Sequence, residues 1–313
     1  MHESQRRQLA DAGLAEYLAM VQNAKNPGCR QQGALALRAA AEGRAARRPT
    51  GPDLYRVSDQ IVSDLGVPTR LYVPSAEPLP LLVFMHGGGW TIGDLASHDR
   101  LCRRIAAAAR VAVLAIDFRR APEAPWPAPV DDCVAVTGWA IEHAAELVGS
   151  PRIAVFGDSS GGNLAALTCL RLRDVGAALP MGQVLIYPNT DLTLTRPSVA
   201  LKSAGWGLDA DDALWFTEQF VPDPALRADP RVSPVFETDL AGLPPTVLVT
   251  AEHDVLRDEG DAYSDALRAA GVPVVHRCEP GLIHGFLGLD LQSGAAAAAC
   301  DRVFNDIAVL LHR

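Results

Sequence analysis

The chain has 313 residues, 49% of them hydrophobic, and carries 37 acidic against 28 basic side chains for a formal charge of −9. That length and apolar fraction suffice for one large buried core, so a single α/β domain over 1–313 is expected. The acidic balance argues against nucleic acid as a partner, because such surfaces mass Lys and Arg on one face, and no apolar run approaches the roughly 20 residues that span a membrane.

Six cysteines at irregular spacing without a CxxC pair, and histidines without an HExxH, suggest neither metal nor cofactor. Arg6 and Arg7 near the N-terminus are followed by Asp11 and Glu16, which interrupt any signal-like apolar stretch, and a cytoplasmic location is expected.

Residues to about 48 read as helix. Leu14, Tyr17, Leu18 and Val21 recur at helical spacing, Asn26-Pro27-Gly28 breaks the pattern, and an Ala-rich stretch over 31–47 resumes it. Pro49-Thr50-Gly51-Pro52 marks a boundary, after which strands are predicted over 55–63, 69–73 and 81–85 with no helices between them, which favours antiparallel pairing. Further strands over 111–116, 152–156, 183–187, 246–250 and 274–278 alternate with helices over 101–109, 130–147, 163–173 and 259–270, and an Ala-rich helix closes the chain. Helical crossovers imply a mostly parallel sheet of about eight strands, buried on both faces. The stretch over 189–223, with a helix-like 211–220, interrupts this rhythm and reads as a lid.

Gly157-Asp158-Ser159-Ser160-Gly161 lies between the apolar strand and the helix that follows it. In a GxSxG frame only Ser159 fits, since a shift to Ser160 would put Asp158 where glycine is required. A serine hydroxyl needs a base to take its proton, and the base needs an acceptor to fix its tautomer, in the chain order Ser, acid, His. Of the downstream histidines, His276 falls inside a strand, His312 is next to last, and His253 adjoins the acid candidate. His284, on a glycine-flanked loop after the last strand, is free to reach back. Asp254 on the loop after the 246–250 strand is the preferred acid and Glu252 the runner-up, while Asp258, Glu259 and Asp261 suit the start of the helix they open.

His86-Gly87-Gly88-Gly89-Trp90 follows the 81–85 strand. Consecutive glycines let backbone N–H groups converge on an oxyanion, and the N–H of Ser160 completes the cradle. A nucleotide-binding loop is the weaker reading, because Ile92 stands where GxGxxG requires glycine and no GKS or GKT phosphate loop occurs.

On these residues, together with segments 229–234 and 251–260, the chain resembles the hormone-sensitive-lipase-like carboxylesterase branch of the α/β-hydrolases, over about residues 68–290. The resemblance implies an α/β-hydrolase fold with a helical cap, formed here by 1–48 and 189–223 over a catalytic core of 49–188 and 224–313. It makes Ser159 the nucleophile, His284 the general base and acid, and Asp254 the orienting carboxylate. Gly88, Gly89 and Ser160 supply the oxyanion N–H groups, with Gly87 and a buried His86 shaping the loop. Trp90, Trp206, Trp215 and Phe216 become candidate pocket walls.

Two departures stand out: Ser160 where the family commonly has alanine, and Phe118-Arg119-Arg120 where it commonly has Tyr-Arg-Leu. The first leaves a backbone donor intact, whereas the second bears on pocket polarity. The implied activity is hydrolysis of small short- to medium-chain esters through an acyl-enzyme, without a cofactor, and family members are often homodimers. The rival readings are a non-catalytic ligand receptor on the same fold, which would lack the histidine, and an amidase or peptidase with the same triad.

Overall fold

A computed structural model describes residues 8–62 and 66–312, so the first seven residues of the expected cap segment and the end of the first expected strand lie outside the described residues. Two helices come first, α1 (Ala12–Asn23) and α2 (Cys29–Ala45), the latter kinked at Gly33. Asp11 caps α1 by accepting from Leu14 N at 2.8 Å, and its second oxygen accepts from Ser293 Oγ and Ala295 N, which ties the start of the chain to its last helix.

Eight strands follow: β1 (Arg56–Val62), β2 (Val67–Val73), β3 (Leu81–Met85), β4 (Ala112–Ile116), β5 (Ile153–Asp158), β6 (Gln183–Ile186), β7 (Thr246–His253) and β8 (Val274–Ile283). They form one sheet in the order β1-β2-β4-β3-β5-β6-β7-β8. Strand β2 runs antiparallel to β1 and β4, and every other neighbouring pair is parallel. Antiparallel pairing thus holds for the first two strands but not for β3, which lies between β4 and β5 and parallel to both. All five residues of β3 are buried, as a central strand covered on both faces requires.

The helices are α3 (Asp99–Ala109), α4 (Ala128–Val148), α5 (Ser160–Asp174), then α6 (Pro197–Leu201) and α7 (Ala210–Phe220) between β6 and β7, and finally α8 (Arg257–Ala269) and α9 (Gly294–His312). Strand alternation divides the core. Leu81, Val83 and Met85 join Val136, Leu167 and Leu267 on the face covered by α4, α5 and α8. Leu82 and Phe84 point the other way, to Ile105, Val303 and the α1 residues Leu14 and Leu18. No helix among the described residues is long and apolar enough to cross a membrane.

The strand order reverses at β3, which has β4 on one side and β5 on the other. A crevice opens beyond the carboxyl ends of the strands at such a switch point. Residues 86–90, Ser159, Tyr187, Asp254 and His284 all follow directly on the ends of parallel strands there. Helices α2 and α7 are joined by Asp212, which accepts from Cys29 N at 2.8 Å, and by an Arg30–Glu218 ion pair at 2.6 Å.

Candidate active site

Strand β5 ends at Asp158 and α5 begins at Ser160, which leaves Ser159 alone at the turn with φ 55° and ψ −122°. A side chain rarely sits at positive φ, and this one is over-determined by its surroundings. Ser159 N donates to Ile186 O at 2.8 Å, and its carbonyl accepts from Asn163 N and Asn189 N. The flanking glycines are sterically required: a Cβ on Gly157 would lie 2.0 Å from Gly161 O, and one on Gly161 2.0 Å from Met85 O.

His284 Nε2 lies 2.9 Å from Ser159 Oγ, and its Nδ1 lies 2.7 Å from Asp254 Oδ2. Asp254 is buried, and its other oxygen accepts from Leu256 N at 2.9 Å, so both its position and that of the imidazole are fixed. Glu252 faces elsewhere, accepting from Gly281 N at 2.7 Å. The remaining downstream histidines have other neighbours. His276 sits 3.0 Å from Asp261, and His312 donates to Ala109 O. His253 stacks on Trp206, accepts from Lys202 Nζ at Nδ1 and donates from Nε2 to Gln8 O.

The glycine loop is closed by hydrogen bonds that spare the expected donors. Gly87 N donates to Asp158 Oδ1 at 2.9 Å, while Gly88 O accepts from Thr91 N and Ile92 N. The N–H groups of Gly88, Gly89 and Ser160 take no part in these bonds. Gly88 and Gly89 have φ of 123° and 58°, and a Cβ on Gly89 would meet the Phe216 ring at 2.3 Å. His86 is buried against the Phe118 ring, with its Nδ1–H donated to Gly87 O at 2.9 Å. Burial, followed by the proximity of His98, pushes its pKa down to about 3 and keeps the ring neutral. Arg120, from the departing segment, donates to Gly93 O at 2.5 Å and so braces the loop from behind.

A cavity of about 320 Å³ lies over Ser159. Its floor includes Gly88, Trp90, Tyr187 and His284, and its rim includes Arg44 and Arg48 from the first segment and Leu208 and Phe216 from the second. Trp90 and Phe216 line it, and Trp90 is also core, stacked on Phe220 at 4.4 Å and bonded to Asn163. Trp206 and Trp215 are not among its lining residues: Trp206 is spent on His253, and Trp215 packs edge-on behind Phe216.

Glu259 lies in the first turn of α8 but also serves the neighbouring loop. It is fully buried and accepts from Thr190 N at 2.8 Å, with burial pushing its pKa well up, so it holds the loop after β6. Asp158, Tyr187 and Asn189 carry site geometry that sequence reasoning left aside. Among the described residues no group of three or more His, Cys, Asp or Glu is placed to hold a metal ion.

An elbow serine, an imidazole and a buried carboxylate in one hydrogen-bonded line, beneath a glycine loop at the sheet's carboxyl end, define a hydrolase of the α/β class. The family profile described as alpha/beta hydrolase fold matches residues 82–288. The chain belongs to that family, in its hormone-sensitive-lipase-like carboxylesterase branch. It is 45% identical over 255 residues to the carboxylic ester hydrolase LipN of Mycobacterium tuberculosis, covering 79% of this chain and 68% of that one. To the carboxylesterase NlhH of the same organism it is 39% identical over 285 residues, covering 87% and 89%. Among solved structures it superposes with a TM-score of 0.92 on an alpha/beta hydrolase from the metagenome of Lake Arreo, Spain, at 33% identity and 98% and 99% coverage. A thermostable esterase from Pseudomonas putida gives 0.90 at 30% identity, with 96% and 97% coverage.

Proposed function

We propose that this protein is a serine carboxylesterase that hydrolyses small short- to medium-chain esters through an acyl-enzyme. The observation that carries this reading is the pair of contacts at His284, 2.9 Å to Ser159 Oγ and 2.7 Å to Asp254 Oδ2. In the proposed mechanism Ser159 Oγ attacks the ester carbonyl as His284 Nε2 takes its proton, and Asp254 holds Nδ1–H and supports the imidazolium. The N–H groups of Gly88, Gly89 and Ser160 face the tetrahedral oxyanion, where each such donor is worth about 3 kcal/mol in barrier height. His284 then returns the proton to the departing alcohol, and water deacylates Ser159 by the same steps.

Residues 1–48 and 189–223 act in this reading as the cap that bounds the acyl pocket, supported by the presence of both Arg44 and Phe216 on the cavity rim. Six free cysteines suit a reducing, cytoplasmic setting. The edge strand β8 suits a homodimer built by strand addition. A ligand receptor would have no use for an imidazole poised on a serine.

The test is labelling with a fluorophosphonate, mapping of the adduct, and turnover of p-nitrophenyl esters beside Ser159→Ala and His284→Ala. An adduct away from Ser159, or undiminished turnover by Ser159→Ala, sinks the mechanism. Matched ester and anilide substrates separate an esterase from an amidase.

A further inference from the structure

A second, smaller cavity of about 160 Å³ adjoins the first and shares with it the walls Arg48, Ser97, His98, Asp158, Tyr187 and Gly285. Its far end is cationic. Arg100 and Arg104 both lean on the single carboxylate of Asp290, the first in a short contact and the second at 3.3 Å. Arg48 gives one N–H to Gly288 O at 3.1 Å and forms no ion pair among the described residues.

Three guanidinium groups thus face two carboxyl groups, that of Asp290, which Arg100 and Arg104 share, and that of the buried Asp158, which already accepts from Gly87 N. Arg100 Nε is buried without a hydrogen-bond partner. That orphan atom is closed off from the cavity, so the donors open to a ligand there are the terminal guanidinium nitrogens. The main cavity rim adds Arg44. This local excess of positive charge sits in a chain whose formal charge is −9, so it does not follow from composition.

We infer that the side cavity with Arg48, Arg100 and Arg104 receives an anionic group of the substrate, and that the preferred esters carry a carboxylate. This rests on the ester-hydrolase reading above. Guanidinium groups bind carboxylates through paired, charge-assisted N–H···O bonds, and in a narrow recess they are only partly screened by salt. A neutral acyl chain would gain nothing from the guanidinium groups at that end of the pocket.

The experiment compares kcat/KM for mono-p-nitrophenyl glutarate with that for p-nitrophenyl hexanoate, which places the carboxylate on the acyl side. A second pair, 3-acetoxybenzoate against 3-acetoxybenzamide, places it on the alcohol side. The expected result is a preference for the carboxylate in at least one pair, falling as NaCl rises from about 0.02 to about 0.5 M.

Arg100→Gln and the exposed Arg48→Gln should each cut that preference about tenfold, and Arg100→Lys should keep more of it than Arg100→Gln. Arg48→Gln keeps the test valid should the Arg100 variant fold poorly. No preference in either pair, or a preference that both glutamine variants leave intact, overturns the inference. Turnover of p-nitrophenyl hexanoate that requires Ser159 keeps such a failure distinct from failure of the esterase reading.

Discussion

Asp158 Oδ1 lies 2.9 Å from Gly87 N, so the carboxylate beside the candidate nucleophile holds the first amide of the oxyanion loop. The elbow and the loop come from strands β5 and β3, and this bond makes them one rigid unit just where donors must aim at a point. A Cβ on Gly87 would lie 2.6 Å from the other Asp158 oxygen, so the approach is as close as a backbone allows.

Asp158→Ala is therefore expected to lower kcat about 10- to 100-fold with a smaller change in KM, since the donors lose aim while ground-state binding is spared. Asp158→Asn keeps an acceptor oxygen toward Gly87 N and should retain most of the activity. Steady-state kinetics on one ester decide the matter, and equal losses in both variants would mean that the charge, not the hydrogen bond, is what counts.

Gly89 and Phe216 make a second testable pair. Any Cβ at position 89 enters the aromatic ring at 2.3 Å, and the residue holds φ 58°. Gly89→Ala should reduce kcat/KM at least tenfold without loss of the fold, because the ring and the loop must part. Adding Phe216→Ala removes the ring atoms but keeps the Cβ of residue 216, 2.7 Å from the new methyl, so it should restore only part of the lost activity, the remainder reflecting that contact and the backbone conformation. A double-mutant cycle measures this directly, and a purely additive result would show that the two residues are not in contact.

What was legible in the sequence follows from how local each constraint is. Ser159 could be read because the turn admits only glycine at 157 and 161, and that requirement is written in five adjacent letters. Placement prefers Asp254 to Glu252 but keeps Glu252 as the runner-up, because both lie near the end of β7. The choice depends on which way each side chain leaves the strand, and Glu252 leaves toward Gly281. No role for Asp158 is legible locally, because its partner Gly87 is 71 residues away.

Trp206 and Trp215 looked like pocket walls for the same reason Phe216 did, an aromatic side chain near a lid. Which face of α7 meets the cavity is decided by packing, and Phe216 faces it while Trp215 lies behind. The placement of β3 beside β5 depended on a crossover, which no local pattern encodes.

Arg38 in α2 fastens the first segment to the loop. Its guanidinium donates to Thr91 O and Ala121 O, each at 2.8 Å, and pairs with Glu123 at 2.6 Å. Glu123 is largely exposed, so that ion pair contributes little, whereas the two carbonyls would each be left without their charged donor. Arg38→Met is expected to lower kcat/KM about tenfold or more and to speed protease cleavage near 24–28, the break between α1 and α2. Glu123→Gln should change either quantity less than twofold. If the two variants behave alike, the carbonyl contacts are not what holds α2 in place.

His86 should make the protein acid-sensitive in a defined direction. Burial first, then the neighbouring His98, pushes its pKa from 6.5 down to about 3, so the folded state keeps the ring neutral where the unfolded chain protonates it. Between these values the unfolded state binds the extra proton. Stability is fully present above about pH 6.5 and falls as pH drops toward 3, by at most about 1.4 kcal/mol per unit. The raised carboxyls of Asp158 and Glu259 act with opposite sign, favouring the fold as they take up protons on acidification. Wild type alone therefore shows only the sum.

His86→Asn isolates the imidazole, because the Asn side-chain N–H can replace Nδ1–H toward Gly87 O without titrating. Urea midpoints at about pH 7.5 and 4.5 should fall further for wild type than for the variant, by roughly 2–3 kcal/mol of stability. Parallel losses in the two proteins would mean that His86 is protonated in the fold, and the neutral, loop-fixing ring would have to be abandoned.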